Sequence, residues 1–395
     1  MRNTLVLVSA CCLTTVLATV SARSPQAPAA RATPPQRLAA LPLQPPAPAD
    51  NPTTPERVAL GRLLFWDPIL SGGKDVACAT CHHPAFGYSD GLDLSIGANA
   101  AGLGPARAFA SGHPPRFVKR NSQTVLNVAF NGLTATGGSA PEAAGMFWDV
   151  RVRSLEAQAL EPIKALEEMR GGAYAEDRAL AAVVSRLTAI PEYRRMFARA
   201  FGGPNPVNEA NLGRALAAFQ RTLVAVNAPF DRYMRGDAAA LSPEQVRGME
   251  RFESIGCVNC HSGPMFSDFA THVLAVPDNP KLAESDSGAN KTYAFRTPSL
   301  RNLSATAPYM HSGVFATLPD VIGFYRRVSG GGRRGGGRGT NPQVGRDQID
   351  PLLQQLDMRG RGQPDLIAFL RALDDPEFDR TIPKRVPSGL PVGGR

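Results

Sequence analysis

The chain has 395 residues, a net charge of +9 and 43% hydrophobic residues, a length that accommodates two domains of ordinary size. Part of the charge sits in one run, Arg326 to Arg338 (RRVSGGGRRGGGR), which favours acidic partners over acidic substrates in general. The longest apolar stretch is too short for a membrane span, so no spanning helix is expected.

That stretch lies at the start. Arg2 followed by Leu5 to Val20, then Val20-Ser21-Ala22, reads as a secretory signal over residues 1–22. A rival is lipoprotein processing at Cys11 after Val8-Ser9-Ala10, which would leave an apolar run of only six residues. An exported chain rarely meets nucleic acid, so none is expected as a partner. Residues 23–53 are rich in Pro and Ala, lack apolar periodicity and read as an extended tether.

The first compact unit, residues 54–238, opens with a Thr54 cap and helical spacing from Pro55 to Phe65. Next comes Cys78-Ala-Thr-Cys81-His82, a C-x-x-C-H motif. Such a motif bonds a haem edge through two thioethers and places its histidine as proximal iron ligand. A structural zinc site would want C-x-x-C pairs with no fixed histidine beside them. Gly- and Pro-rich loops fill Ser71 to Arg120, and helices are expected at Arg153–Glu168, Ala175–Leu187, Glu192–Ala200 and Glu209–Val226.

The second unit, residues 239–378, opens at Ser242-Pro243-Glu244-Gln245, a capping-box start. Its helix runs into a second motif, Cys257-Val-Asn-Cys260-His261. Helices are expected again at Leu318–Val328 and Gln363–Asp374, with residues 379–395 as a tail. A Gly-x-x-x-Phe spacing precedes each motif, from Gly61 to Phe65 and from Gly248 to Phe252. Strand-like alternation is scarce. The expected fold is all-α, with two cytochrome c-like haem domains packed around an inter-haem interface, each using its haem as core. With the leader removed, four cysteines remain and all are used by haem, so no disulfide is expected. The Arg/Gly run, 326–339, reads as a flexible surface loop or a docking element.

Several short stretches, in order around the two motifs, resemble the bacterial di-haem cytochrome c peroxidase and MauG superfamily. They are Leu60-Gly61-Arg62-Leu63-Leu64-Phe65-Trp66-Asp67-Pro68, Arg120-Asn121-Ser122-Gln123-Thr124-Val125-Leu126-Asn127, Phe147-Trp148-Asp149 and Ser154-Leu155-Glu156-Ala157-Gln158-Ala159. Further along stand Glu167-Glu168-Met169, Arg296-Thr297-Pro298-Ser299-Leu300-Arg301-Asn302 and Ala307-Pro308-Tyr309-Met310-His311-Ser312-Gly313.

The resemblance implies a periplasmic di-haem peroxidase. Two covalent haem c groups would divide the labour: the haem on His82 meets hydrogen peroxide, and the haem on His261 moves electrons. Glu168 would be the base that shifts the peroxide proton, with Gln158 as its polar neighbour over the same face. Trp148 would lie between the haems as an electron relay. Calcium would be held by the Asn121 side chain and the carbonyls of Thr306 and Pro308. His311 would contact a haem propionate rather than iron. The partner would be a small cytochrome c, a cupredoxin or a protein substrate.

The second ligand of the second haem separates the two branches of this superfamily. An ungapped match from His311 puts Tyr325 where the peroxidases place a methionine and MauG-type proteins a tyrosine. A phenolate stabilises ferric and higher oxidation states, whereas a thioether raises the potential. Met265, Met310 and Met358 are rival ligands. His113 is either a loop ligand capping the first iron or an exposed loop residue, and His83 reads as a surface or propionate contact. Departures from the pattern are Gly132 to Gly145, which looks like an insertion, and Val150, where a glycine is usual. The alternative function is a non-catalytic di-haem electron-transfer cytochrome, with both irons six-coordinate and no use for Glu168.

Overall fold

Thr54 caps the first helix as its spacing predicts: the side-chain oxygen accepts from Arg57 N, and Pro55 takes the first position, where no N–H is needed. A computed structural model describes Met1 and residues 37–134, 137–329, 339–359 and 362–394. The expected signal, the first part of the tether and residues 330–338 of the Arg/Gly run lie outside the described residues. Residues 37–395 belong to one compact unit.

The helices in chain order are α1 (Pro55–Trp66), α2 (Cys78–Cys81), α3 (Leu155–Gln158), α4 (Glu161–Lys164), α5 (Ala179–Ala189) and α6 (Pro191–Phe201). They continue with α7 (Glu209–Gln220), α8 (Pro229–Met234), α9 (Pro243–Ile255), α10 (Leu318–Val328) and α11 (Gln363–Arg371). Among the described residues, six strands of two or three residues form three antiparallel ribbons: β1 (Ala100–Ala101) with β2 (Ala108–Phe109), β3 (Gly145–Met146) with β4 (Val152–Arg153), and β5 (Thr271–Val273) with β6 (Ala294–Arg296). The described chain is thus largely helical with a few short strands.

One expected helix is broken. Arg153–Glu168 resolves into α3 and α4, then a single π-turn, Leu166–Arg170. Pro162 sits in the first turn of α4, and Ala165 is extended at φ −72°, ψ 130°. The helix expected to Val226 stops at Gln220.

Two hydrophobic cores repeat one packing device. In the first, α1 lies on α7, and a Cβ at Gly61 would fall 1.9 Å from Ala215 O and 2.8 Å from Phe219 Cβ. In the second, α9 lies on α11, and a Cβ at Gly248 would fall 2.0 Å from Asp365 O and 2.7 Å from Phe369 Cβ. One turn on from each glycine a phenylalanine meets the same partner helix: the Phe65–Phe219 rings are 5.3 Å apart and the Phe252–Phe369 rings 5.4 Å apart. The Gly-x-x-x-Phe spacing is therefore a helix-crossing signature, with glycine at the point of closest backbone approach.

The two ends of the described chain are packed down. In the segment read as tether, Leu38 is buried in the second core and Leu41 in a smaller cluster with Phe130, Leu133 and Met265; Gly263 N donates to Arg37 O, and Leu41 N donates to Asp231 Oδ1 at 2.9 Å. The tail buries Val386 and Val392 in the first core and anchors Ser388 Oγ on Asp67 at 2.7 Å.

Candidate active site

Both motifs curl into one turn, and His82 N and His261 N each donate back to the first cysteine of their motif, at 2.9 Å. This places the cysteine pair and the histidine on one side of the turn. Each imidazole is then aimed by a carbonyl downstream: His82 Nδ1 meets Tyr88 O at 3.1 Å, and His261 Nδ1 meets Phe266 O at 2.9 Å. An Nδ1–H given to a carbonyl leaves the Nε2 lone pair free for a metal. Burial holds both rings below the usual histidine range, in their neutral, ligating form.

A continuous cavity of about 620 Å³ joins the two turns. Cys81, His82, Cys257, Cys260 and His261 line it, as do Glu168, Gln158, Trp148, Tyr325, His311, Asn121, Thr306 and Pro308. Cys78 stands one turn behind Cys81. The rivals Met265, Met310 and Met358 line the same cavity. His113 is exposed and outside it. His83, read as a surface or propionate contact, is instead buried behind the first motif, edge-on to Trp66 with ring centres 5.7 Å apart.

Glu168 rides on the π-turn. Gly97 presses on that turn so closely that a Cβ there would lie 2.6 Å from Glu168 Cα. The buried Arg107 guanidinium in turn holds the Gly97 segment, donating to Ile96 O at 2.5 Å and Gly97 O at 2.6 Å. Burial pushes the Glu168 carboxyl up to about 7; Arg151 opposes the rise, and Glu167 and Glu161 add to it. A group poised near neutrality both accepts and returns a proton.

Asn121 is a junction. Its N–H donates to His311 O at 2.8 Å, its carbonyl accepts from Trp148 Nε1 at 3.0 Å, and its side-chain amide donates to Leu92 O at 2.8 Å. Trp148 meets His311 edge-on at 6.4 Å, and His311 stacks on Phe295 at 3.5 Å. Tyr325, on α10, is half-buried. Burial raises its phenol.

Sequence reasoning gave no role to Arg107, Arg120 or His272. Arg120 bridges Asp286, through Nε at 2.6 Å, and Asp149, through Nη1 at 2.7 Å. These partners lie far apart in the chain, so no local spacing announces them.

A family model for di-haem cytochrome c peroxidase matches residues 55–239. The methylamine utilization protein MauG of Methylorubrum extorquens is 36% identical over 83% of this chain and 81% of its own. The chain belongs to the di-haem cytochrome c peroxidase and MauG family. Cytochrome-c peroxidase IdrP1 of Pseudomonas sp. (strain SCT) is also 36% identical, over 83% of this chain and 84% of its own. Among solved structures, a MauG-like protein associated with microbial copper homeostasis superposes with a TM-score of 0.66. It is 28% identical and covers 85% of this chain and 95% of its own. The chain is accordingly a di-haem peroxidase, and the family implies two haem c groups.

The residues present fit that cofactor. Both attachment motifs open onto one cavity with an accessible Nε2 on each histidine. Arg296, buried in the wall, donates to Phe147 O and Gln123 Oε1 and has no carboxylate partner among the described residues. Burial lowers it to about 10. His311 Nε2 is likewise buried without a hydrogen-bond partner. Haem propionates would supply the acceptors and counter-charge that these two groups lack.

Proposed function

We propose that the chain is an exported enzyme that reacts with hydrogen peroxide at the haem on Cys78, Cys81 and His82. Cys257, Cys260 and His261 would hold the second haem, whose redox chemistry would serve the transfer of oxidising equivalents to a partner protein. The observation that carries this reading is that Glu168, poised near neutrality, and Gln158 line the same cavity as His82.

When bound, the haems supply the iron redox chemistry. The chain's own residues supply the proton handling and the wiring. Glu168 would take the proton from one peroxide oxygen and return it to the other, which would depart as water. Gln158 orients the peroxide by hydrogen bonding. Trp148, fixed through Nε1 on Asn121 O and set against His311, provides an aromatic path between the two haem sites. Tyr325 and His261, which line the same cavity, would together hold the second haem, with the phenolate supplying a hard oxygen donor. The Asn121 side-chain oxygen and the carbonyls of Thr306 and Pro308 would hold a calcium ion, a hard cation suited to oxygen donors.

Tyr325 favours oxidation of a protein substrate over peroxide removal with electrons from a small cytochrome c or cupredoxin. The two all-α haem domains and the leader over residues 1–22 complete the proposal. No helix among the described residues is long and apolar enough to cross a membrane.

Spectra of the purified ferric protein test it. One high-spin and one low-spin haem are expected, and two low-spin haems in every redox state would leave only an electron-transfer cytochrome. Tyr325→Phe should keep both haems attached and change the spectrum that peroxide produces at the second haem. Identical spectra for wild type and variant would remove Tyr325 from the iron.

A further inference from the structure

His272 lies on β5 beside the second attachment motif, and both of its ring nitrogens face carboxylates. Nδ1 is 2.6 Å from Asp350 Oδ2, and Nε2 is 2.9 Å from Asp268 Oδ2. A neutral imidazole has one N–H, so one of these contacts would set lone pair against lone pair. Two short contacts to two carboxylates call for a ring protonated at both nitrogens.

The cradle is rigid. Asp268 N donates to Cys260 O at 2.8 Å, and Asp268 Oδ1 accepts from Ala270 N at 3.0 Å. Asp350 N donates to Val273 O at 3.0 Å, and Asp350 Oδ1 accepts from Leu352 N at 2.9 Å. The ligating atoms of Cys260, Asp268 and His272 lie within 4.8 Å of one another. Cys260 is committed to haem attachment, so this is not an open metal site. His272 and Asp350 line the cavity that His261 lines, and the His272 side chain is 11% exposed. The imidazole's hydrogen bonds to Asp268 and Asp350 raise it above the usual histidine range.

We propose that His272, held as an imidazolium between Asp268 and Asp350, is a positioning residue that sets the reduction potential of the second haem. The proposal rests on the reading of Cys257, Cys260 and His261 as that haem's attachment site. A buried positive charge a few ångströms from the attachment edge disfavours the more positive ferric state, so it raises the potential. Salt screens such a buried charge poorly. The two carboxylates act in the opposite sense, so removing charge of each sign must move the potential in opposite directions. Disturbed packing has no reason to do that.

Spectroscopic redox titration of the holoprotein tests this, with mass and haem content confirming both attachments in every variant. His272→Gln should lower the midpoint of the second haem and leave the first unchanged. His272→Lys, which restores a cation, should bring it back. Asp350→Asn, which keeps a side-chain oxygen for Leu352 N, should raise it. An unmoved midpoint in His272→Gln, or shifts of the same sign in His272→Gln and Asp350→Asn, would overturn the proposal. A wild type lacking the second haem would overturn the attachment reading itself, and haem content separates that failure from this one.

Discussion

The proposed role of Glu168 as base rests on where its carboxyl is held. Burial sets it near 7, so the base form gains as pH rises through about 7 and is lost below. The rate of peroxide cleavage should follow that limb. Glu168→Gln should abolish it and slow the reaction by about 10²- to 10⁴-fold, the usual worth of a positioned base. Stopped-flow rates between pH 5 and 9 check this; a variant that keeps both the rate and the limb removes Glu168 from the chemistry. Val150 shows strain at the same scale. It stands where the resemblance leads one to expect glycine, and it adopts φ +50°, a region costly for a β-branched side chain. Left-handed backbone costs roughly 1–2 kcal/mol there, and glycine's extra unfolded-state entropy returns about 0.4–1. Val150→Gly should therefore stabilise the protein by up to about 1.6 kcal/mol in a denaturant titration. A loss of stability would mean that the side chain's packing outweighs the strain. The chain signalled the doubt here, since a non-glycine residue at a glycine position is visible without coordinates.

The element scale holds the part of the fold most legible in the sequence. Capped helices announce themselves locally: Ser242 and Gln245 form the reciprocal box that their spacing predicts, at 3.2 and 2.9 Å. The Gly-x-x-x-Phe spacing was visible too, but its meaning was not, because Ala215 O and Asp365 O, the atoms it admits, lie over a hundred residues downstream. Gly248→Ala should push α9 off α11 and cost about 1–3 kcal/mol, the range for overpacking a close contact. Gly172→Ala serves as control, since a Cβ there meets nothing within 4 Å. Equal stability of the two variants would show that the helices shift apart freely. The π-turn carrying Glu168 escaped the sequence reading for a different reason. Its residues suit a regular helix, and what diverts them is Pro162 together with contacts from outside: Gly72 N donates to Met169 O at 2.8 Å, and Gly97 presses from the other side. π-bulges concentrate at functional sites, and here the turn is what carries the proposed base.

At the scale of the whole molecule, the least legible residues are those that tie remote segments together. Leu38 and Leu41 are isolated apolar residues among prolines, and no periodicity marks them as core. Their burial depends on Asp231, which is fully buried and accepts from Leu41 N, Ala228 N and both terminal nitrogens of Arg301, at 2.7 and 2.9 Å. Arg301 Nε donates in turn to Pro264 O, in the loop following the second haem motif. One ion pair thus joins the N-terminal arm, α8 and that loop. Removing one partner of such a pair strands a buried charge, at about 3–5 kcal/mol. Arg301→Met should lower the unfolding free energy by that amount. It should also loosen the arm, because its anchor Asp231 would lose the two donors that fix it. Limited proteolysis within residues 37–53 would then accelerate more than cleavage elsewhere. Exchanging both partners for apolar residues should not rescue stability, because Leu41 N and Ala228 N would be left buried without an acceptor. Should Arg301→Met cost less than about 1 kcal/mol, or the arm resist protease as in the wild type, the arm is held by Leu38 and Leu41 packing alone.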